Sequence, residues 1–190
     1  MTKLSLVLFA LAACHRQAAD PPSPVPVAPV RAVSTEPSIY DLHLRLRDAT
    51  DREIGLDVGR GHPVLISMFY ASCPVACPVL VADLGRIASE LPPAMQSDLR
   101  IVLVSFDPRD APATLREVIA AHHLDARWTV AVATETDART LAATIGFKYR
   151  KLESGDYAHG ATIVALDAEG RPMARSERLG DHASLLAVLQ

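Results

Sequence analysis

The chain has 190 residues, a formal net charge of −3, 49% apolar residues and 5% aromatic ones. That length fits one domain with a leader and a linker, and the apolar share is enough for a core. Nucleic-acid binding calls for a basic stripe, because phosphate contacts supply most of the affinity. No block of like charge appears here, so that class is set aside.

Met1 to Cys14 reads MTKLSLVLFALAAC. Lys3 is a minimal positive n-region, and the apolar run from Leu4 to Ala13 is broken only by Ser5. The run is about half the ~20 apolar residues a membrane-spanning helix needs. It has the dimensions of a signal-peptide core instead. It ends in Leu11-Ala12-Ala13-Cys14, which resembles the lipobox of bacterial lipoproteins. There the cysteine sulfur takes a diacylglyceryl group and becomes the new N-terminus. An ordinary cleaved signal is the other reading, and both export the domain. Asp20 to Val30 packs five prolines into eleven residues, an extended spacer rather than a helix or ladder. The expected organisation is a lipoprotein-type signal peptide over 1–13, a lipid-anchored proline-rich linker over 14–37 and a folded domain over 38–190. That places the domain on the periplasmic side of a bacterial cell envelope.

Leu42, Leu44 and Leu46 alternate with His43, Arg45 and Arg47, a half-buried strand pattern. Asp48 to Asp51 is turn-rich and leads into a return strand, giving an N-terminal strand or hairpin extension. Val64 to Tyr70 and Ile101 to Phe106 are short, nearly continuous apolar runs, as expected of strands buried on both faces. Between them Leu80, Leu84, Ile87 and Leu91 form a helical stripe that Pro92-Pro93 stops. A second helix is expected from Pro112 to about His122, with Leu115, Val118 and Ile119 inward, and a third around Leu141 and Ile145. Ala161 to Leu166 reads as a strand, Asp167 to Gly170 as a turn and Arg171 to Ser176 as its hairpin partner. A last helix is expected from Asp181, a good N-cap. Strands alternating with helices make an α/β domain. The order βαβ…ββα after Val64 is that of a thioredoxin-like fold, a central mixed sheet flanked by helices.

The three cysteines are Cys14, Cys73 and Cys77, too few for a disulfide framework. Cys73 and Cys77 lie where a buried strand meets a helix, in Phe69-Tyr70-Ala71-Ser72-Cys73-Pro74-Val75-Ala76-Cys77-Pro78. A helix N-terminus carries partial positive charge, which favours a thiolate. Four-residue spacing lets the two sulfurs either close a disulfide or chelate one soft metal ion. Pro74 and Pro78 stiffen the loop. Two structural thiols are the bland alternative, and the strand-to-helix position argues against it.

This segment is similar to the F-x-Y-T-x-C-P-x-x-C-P signature of the SCO (SenC-type) copper proteins, which assist assembly of the binuclear copper centre of cytochrome oxidase. The likeness runs from about Ser38 to Leu189. Val104 to Pro112 resembles the family's S-x-D-P-x-R-D-T-P block, and Tyr157-Ala158-His159-Gly160 aligns with its histidine. Gly170 fits its turn glycine. Ala71, Val75 and Gly160 depart from the usual residues, and none of them removes a ligand. The resemblance implies that Cys73, Cys77 and His159 ligate copper as Cu(I) or Cu(II). Thiolates select Cu(I), and an imidazole makes a site acceptable to Cu(II). The four-residue spacing at the loop–helix junction also predicts a reversible Cys73–Cys77 disulfide.

Thioredoxin-type oxidoreductases place a cis-proline before the strand facing the dithiol. Between Pro112 and Pro172 this chain has no proline, and that neighbourhood offers His159. The remaining histidines of the folded domain, 43, 62, 122, 123 and 182, read as structural or exposed. Met68 and Trp128 read as core, and Asp107 as either a neighbour of the site or a loop cap.

The leading expectation is a copper metallochaperone rather than an enzyme. Its partners would be the copper-bearing subunit of a cytochrome oxidase or other copper chaperones, and the membrane through the anchor. The sequence sets no oligomeric state. The alternative is an extracytoplasmic thiol-disulfide oxidoreductase that reduces the cysteines of a copper-site target. A peroxidase or redox sensor using the same dithiol ranks third.

Overall fold

A computed structural model describes residues 36–73 and 76–190. The signal segment, Cys14, nearly all of the linker, and Pro74 with Val75 lie outside the described residues.

The centre of the sheet comes from the most apolar strings. Strand β3 (Val64–Phe69) is buried at every position. It pairs in parallel with β4 (Arg100–Ser105), which pairs in parallel with β5 (Trp128–Ala133). Strands without a solvent face need no polar alternation, which is why these read as unbroken apolar runs. Ser67 is the exception in β3, and its hydroxyl donates to the Thr162 carbonyl at 2.7 Å, so this buried hydroxyl is not left unmet.

On one side of this trio β1 (Leu46–Asp48) runs antiparallel to β5 and turns into β2 (Glu53–Ile54). On the other, β8 (Ile163–Leu166) runs antiparallel to β3 and pairs with β9 (Pro172–Ser176). The order is β2-β1-β5-β4-β3-β8-β9, a mixed sheet of seven strands. A separate two-stranded ribbon joins β6 (Tyr149–Lys151) to β7 (Tyr157–His159).

Helix α1 (Ala76–Glu90) buries Cys77, Leu80, Leu84 and Ile87. Four others, α2 (Pro93–Asp98), α3 (Pro112–Ala121), α4 (Glu135–Ile145) and α5 (Ala183–Leu189), complete the described helices. The expected thioredoxin-like α/β fold with an N-terminal hairpin is therefore the observed one. No helix among the described residues is long and apolar enough to cross a membrane.

Several local expectations are corrected. The alternating stretch 42–47 is not all strand: Ile39–Leu42 is a 3-10 turn capped by the Ser38 hydroxyl, and His43 leaves it at φ 50. A left-handed residue ends the turn and delays β1 to Leu46. Pro92-Pro93 does stop α1, but Pro93 then opens α2, since proline at the first helical position loses no hydrogen bond. Helix α5 begins at Ala183 with His182, not Asp181, at its cap. The reason is tertiary. His182 is buried and its Nε2 meets the buried Asp83 carboxylate of α1 at 2.9 Å, while the Gly180 N–H donates to the other oxygen at 3.0 Å.

Candidate metal centre

Strand β3 ends at Phe69, and Tyr70 and Ala71 carry the chain towards α1. Two contacts hold this exit. The Phe106 N–H donates to the Phe69 carbonyl at 2.9 Å. The Ala71 N–H donates to Asp110 Oδ2 at 2.8 Å, and the Ser105 hydroxyl donates to the same oxygen at 2.6 Å. Asp110 is thereby fixed from β4 and aimed at the segment that carries the first cysteine. Burial pushes its carboxyl above the ordinary range, against the hydrogen bonds from Ser105 and Ala71 that pull it down.

Cys73 and Cys77 are both buried and neither is in a disulfide. The Cys77 N–H donates to Cys73 Sγ at 3.4 Å, and the Cys77 thiol donates to the Tyr70 carbonyl at 3.2 Å. Burial drives the Cys77 thiol far above its ordinary value, with Cys73 and Asp110 adding to the effect. Cys77 is thus kept as a thiol by its surroundings. Burial also raises the phenol of Tyr70, and the adjacent Cys73 raises it further.

His159 ends β7, and the ribbon brings it to the thiols from 86 positions away, with Nε2 3.6 Å from Cys73 Sγ. Its other ring nitrogen donates to the Gly160 carbonyl at 2.7 Å. That bond fixes the proton on Nδ1 and leaves the Nε2 lone pair facing the sulfurs, the arrangement a metal-ligating histidine requires. Aromatic rings set the plane: Tyr70 meets the imidazole edge-on at 5.5 Å and Phe147 stacks on it at 6.0 Å. Phe106 in turn stacks on Tyr149 at 4.4 Å, which anchors the ribbon to the sheet.

One ligand atom each from Cys73, Cys77 and His159 lies within 4.8 Å of the others. Among the described residues this is the one group of three or more Cys, His, Asp or Glu side chains so placed. Two sulfurs and an imidazole nitrogen fit a soft or borderline cation.

The remaining candidates divide clearly. Met68 is fully buried packing and Trp128 is half-buried at the start of β5. His62 Nδ1 lies 2.6 Å from Asp98 at the surface, and His122 and His123 follow α3. Asp107 is buried and takes the Arg109 guanidinium on both oxygens. Against the penalty of burial those bonds hold its carboxyl below the ordinary range. Arg109 then lies over the Tyr157 ring at 5.8 Å and donates to the Gly155 carbonyl, so Asp107 steadies the ribbon rather than a metal.

Sequence reasoning missed Asp110 as a support of the cysteine segment, and Gly160 as the acceptor that orients His159. The signal for Asp110 was its place just beyond a buried strand that neighbours β3. For Gly160 it was adjacency to the histidine.

Fold and site together define a thioredoxin-like domain whose dithiol faces an imidazole instead of a proline. The chain belongs to the SCO1/SenC family, whose model matches residues 33–190. Among solved structures it is similar to a SCO1/SenC family lipoprotein from Bacillus anthracis str. Ames. The two are 17% identical with a TM-score of 0.67, covering 76% of this chain and 89% of that one. Bradyrhizobium japonicum ScoI with copper bound is 22% identical with a TM-score of 0.61, covering 77% and 97%. Yeast Sco1 with copper bound gives 19%, 0.62, 76% and 82%. A curated relative from Stutzerimonas stutzeri, named for copper binding, is 27% identical over 78 residues. That match spans 40% of this chain and 38% of the relative's length.

Proposed function

We propose that the chain is a copper-binding metallochaperone that carries one copper ion on Cys73, Cys77 and His159 and serves assembly of a respiratory oxidase copper centre. The observation that carries this reading is the meeting of the three ligand atoms within 4.8 Å, with His159 oriented by Gly160. Family membership and the copper-bound structures of ScoI and Sco1 support it. The two thiolates supply the affinity for Cu(I), and the imidazole adds a harder donor that admits Cu(II). Cys73 and Cys77 also form a reversible disulfide, and copper loads only the reduced protein, because thiolates are the ligands. The domain acts outside the cytoplasm on a lipid anchor at Cys14, with 14–37 as its tether.

Metal analysis of the reduced protein tests the reading. One copper per chain is expected, with tight binding lost in Cys73→Ser and in Cys77→Ser. A Cu(II) complex should show thiolate-to-copper charge-transfer absorption that weakens in His159→Ala. Unchanged Cu(II) affinity and spectrum in that variant would remove His159 from the site. The thiol-disulfide oxidoreductase reading would then take first place.

A further inference from the structure

A cavity of about 320 Å³ opens beside His159, walled by Lys148, Tyr149, Arg150, Ala158, His159 and Gly160. A larger one of about 570 Å³ shares Lys148, Tyr149 and Arg150 and adds Arg139 and Lys151. Among the described residues the only acidic lining of either is Glu135, which is paired with Arg139. Lys148, Arg150 and Lys151 are exposed. The floor of the larger cavity includes Phe106, Phe147 and Tyr157. The chain as a whole carries −3, so a basic rim on an aromatic floor, beginning at the histidine of the metal centre, runs against the overall charge.

We infer that this rim is the docking surface for an acidic segment of the protein with which the domain exchanges its metal. The inference rests on the copper-carrier reading and deepens it by giving the partner's chemistry. Backbone pairing fixes the geometry: the Gly160 N–H donates to the Lys148 carbonyl at 2.8 Å, and Tyr149 pairs with His159. Lys148 and Arg150, one residue to either side of Tyr149, are therefore held at the His159 end of the ribbon, on the face opposite the imidazole. A carboxylate-bearing segment seated there lies across the ribbon that carries His159. Oppositely charged rims mainly raise the encounter rate and fix register. Both suit a partner that must align with a buried ion and then leave. The aromatic floor favours a peptide with interspersed apolar residues over a lipid headgroup.

The probe is a fluorescein-labelled peptide alternating glutamate, serine and leucine, with a glutamine-for-glutamate counterpart. Binding to the metal-free full-length protein is read by fluorescence anisotropy across a salt series. Wild type should bind the acidic peptide, lose it with added salt, and ignore the glutamine peptide. The double variant K148E/R150E should bind about tenfold more weakly. R86E, which makes a single charge reversal on the exposed face of α1, should bind like wild type. Copper affinity of K148E/R150E, measured by Cu(I) competition, should be unchanged, which shows that the variant folds. Equal binding by wild type and K148E/R150E would overturn the proposal, as would equal binding of both peptides. Preference for phosphatidylglycerol vesicles through the same two residues would overturn it in favour of a membrane surface. If wild type bound the acidic peptide but no copper, the carrier reading would fail while the acidic-partner surface stood.

Discussion

The Asp110 carboxylate, held from β4 by Ser105, accepts the backbone N–H of Ala71 two residues before Cys73. A side chain beyond one strand thus sets where the neighbouring strand releases the thiol segment. Asp110→Ala leaves that N–H and the Ser105 hydroxyl without their acceptor, at a cost of about 1–3 kcal/mol. Asp110→Asn keeps an acceptor oxygen and removes the charge. Copper affinity should fall in the alanine variant and largely return in the asparagine variant, measured by Cu(I) competition beside urea unfolding. Equal affinities in both would mean that Asp110 does not position the site.

Copper binding should release protons. Burial holds Cys77 as a thiol above its ordinary range, donating to the Tyr70 carbonyl, and a metal can only take the thiolate. Below the raised thiol value, each proton displaced makes apparent Cu(I) affinity rise up to about tenfold per pH unit. Affinity should therefore climb steadily from mildly acidic to alkaline pH. In the metal-free protein, Cys77 should react with iodoacetamide more slowly at neutral pH than it does in the unfolded chain. A flat affinity profile would refute the buried-thiol assignment.

Asp48 gives a separate acid signature. Its burial would raise the carboxyl, but bonds from Thr50 and Arg52 outweigh that and hold it down to about 2, from 3.8. A depressed folded value stabilises the native state at pH above 3.8, and that stability is lost as pH falls towards about 2. With solvent screening at the exposed Arg52, the difference is at most about 1 kcal/mol. Asp48→Asn should be less stable than wild type at neutral pH, and the gap should close in acid, measured by chemical denaturation.

The Asp83–His182 contact ties α1 to the start of α5 with both partners buried. His182→Ala leaves Asp83 buried with the Gly180 N–H, and should cost about 3 kcal/mol. Copper stoichiometry should not change, because α1 keeps its packing at Cys77. Loss of copper with unchanged stability would reverse the assignment of this pair as structural.

The anchor is tested by Cys14→Ser. Wild type should partition with membranes and begin at a lipidated Cys14, and the variant should be released or misprocessed. Folding stability should scarcely differ between the two. An unmodified mature N-terminus at another residue would exclude the anchor.

The parts of the molecule that depend on local pattern were legible. Strands β3 and β4 announce themselves as apolar runs, α1 as a stripe, and the thiol pair as a motif at their junction. Strand β5 was missed because its buried half, Val130–Ala133, is two valines among alanines, a weak strand signal. The ribbon was missed because its strands are three residues each, and Tyr149–Lys151 is mostly polar. The Asp110–Ala71 and Asp83–His182 contacts join positions 39 and 99 apart. No window along the chain contains both partners, so only the fold reveals them.

His159 lies 86 positions after Cys73, and the stretch between them contains α1 to α4, β4 to β6 and most of β7. An ion held by both ends would be a clasp on nearly half the chain, closing a loop that the unfolded state leaves open. Whatever binds the native form alone also shifts the unfolding equilibrium with its own concentration. The melting temperature would then act as a fuel gauge, reading how much of a population is loaded. A recipient would have to undo the clasp as well as outbid the ligands, so a spent carrier would be a softer molecule than a full one.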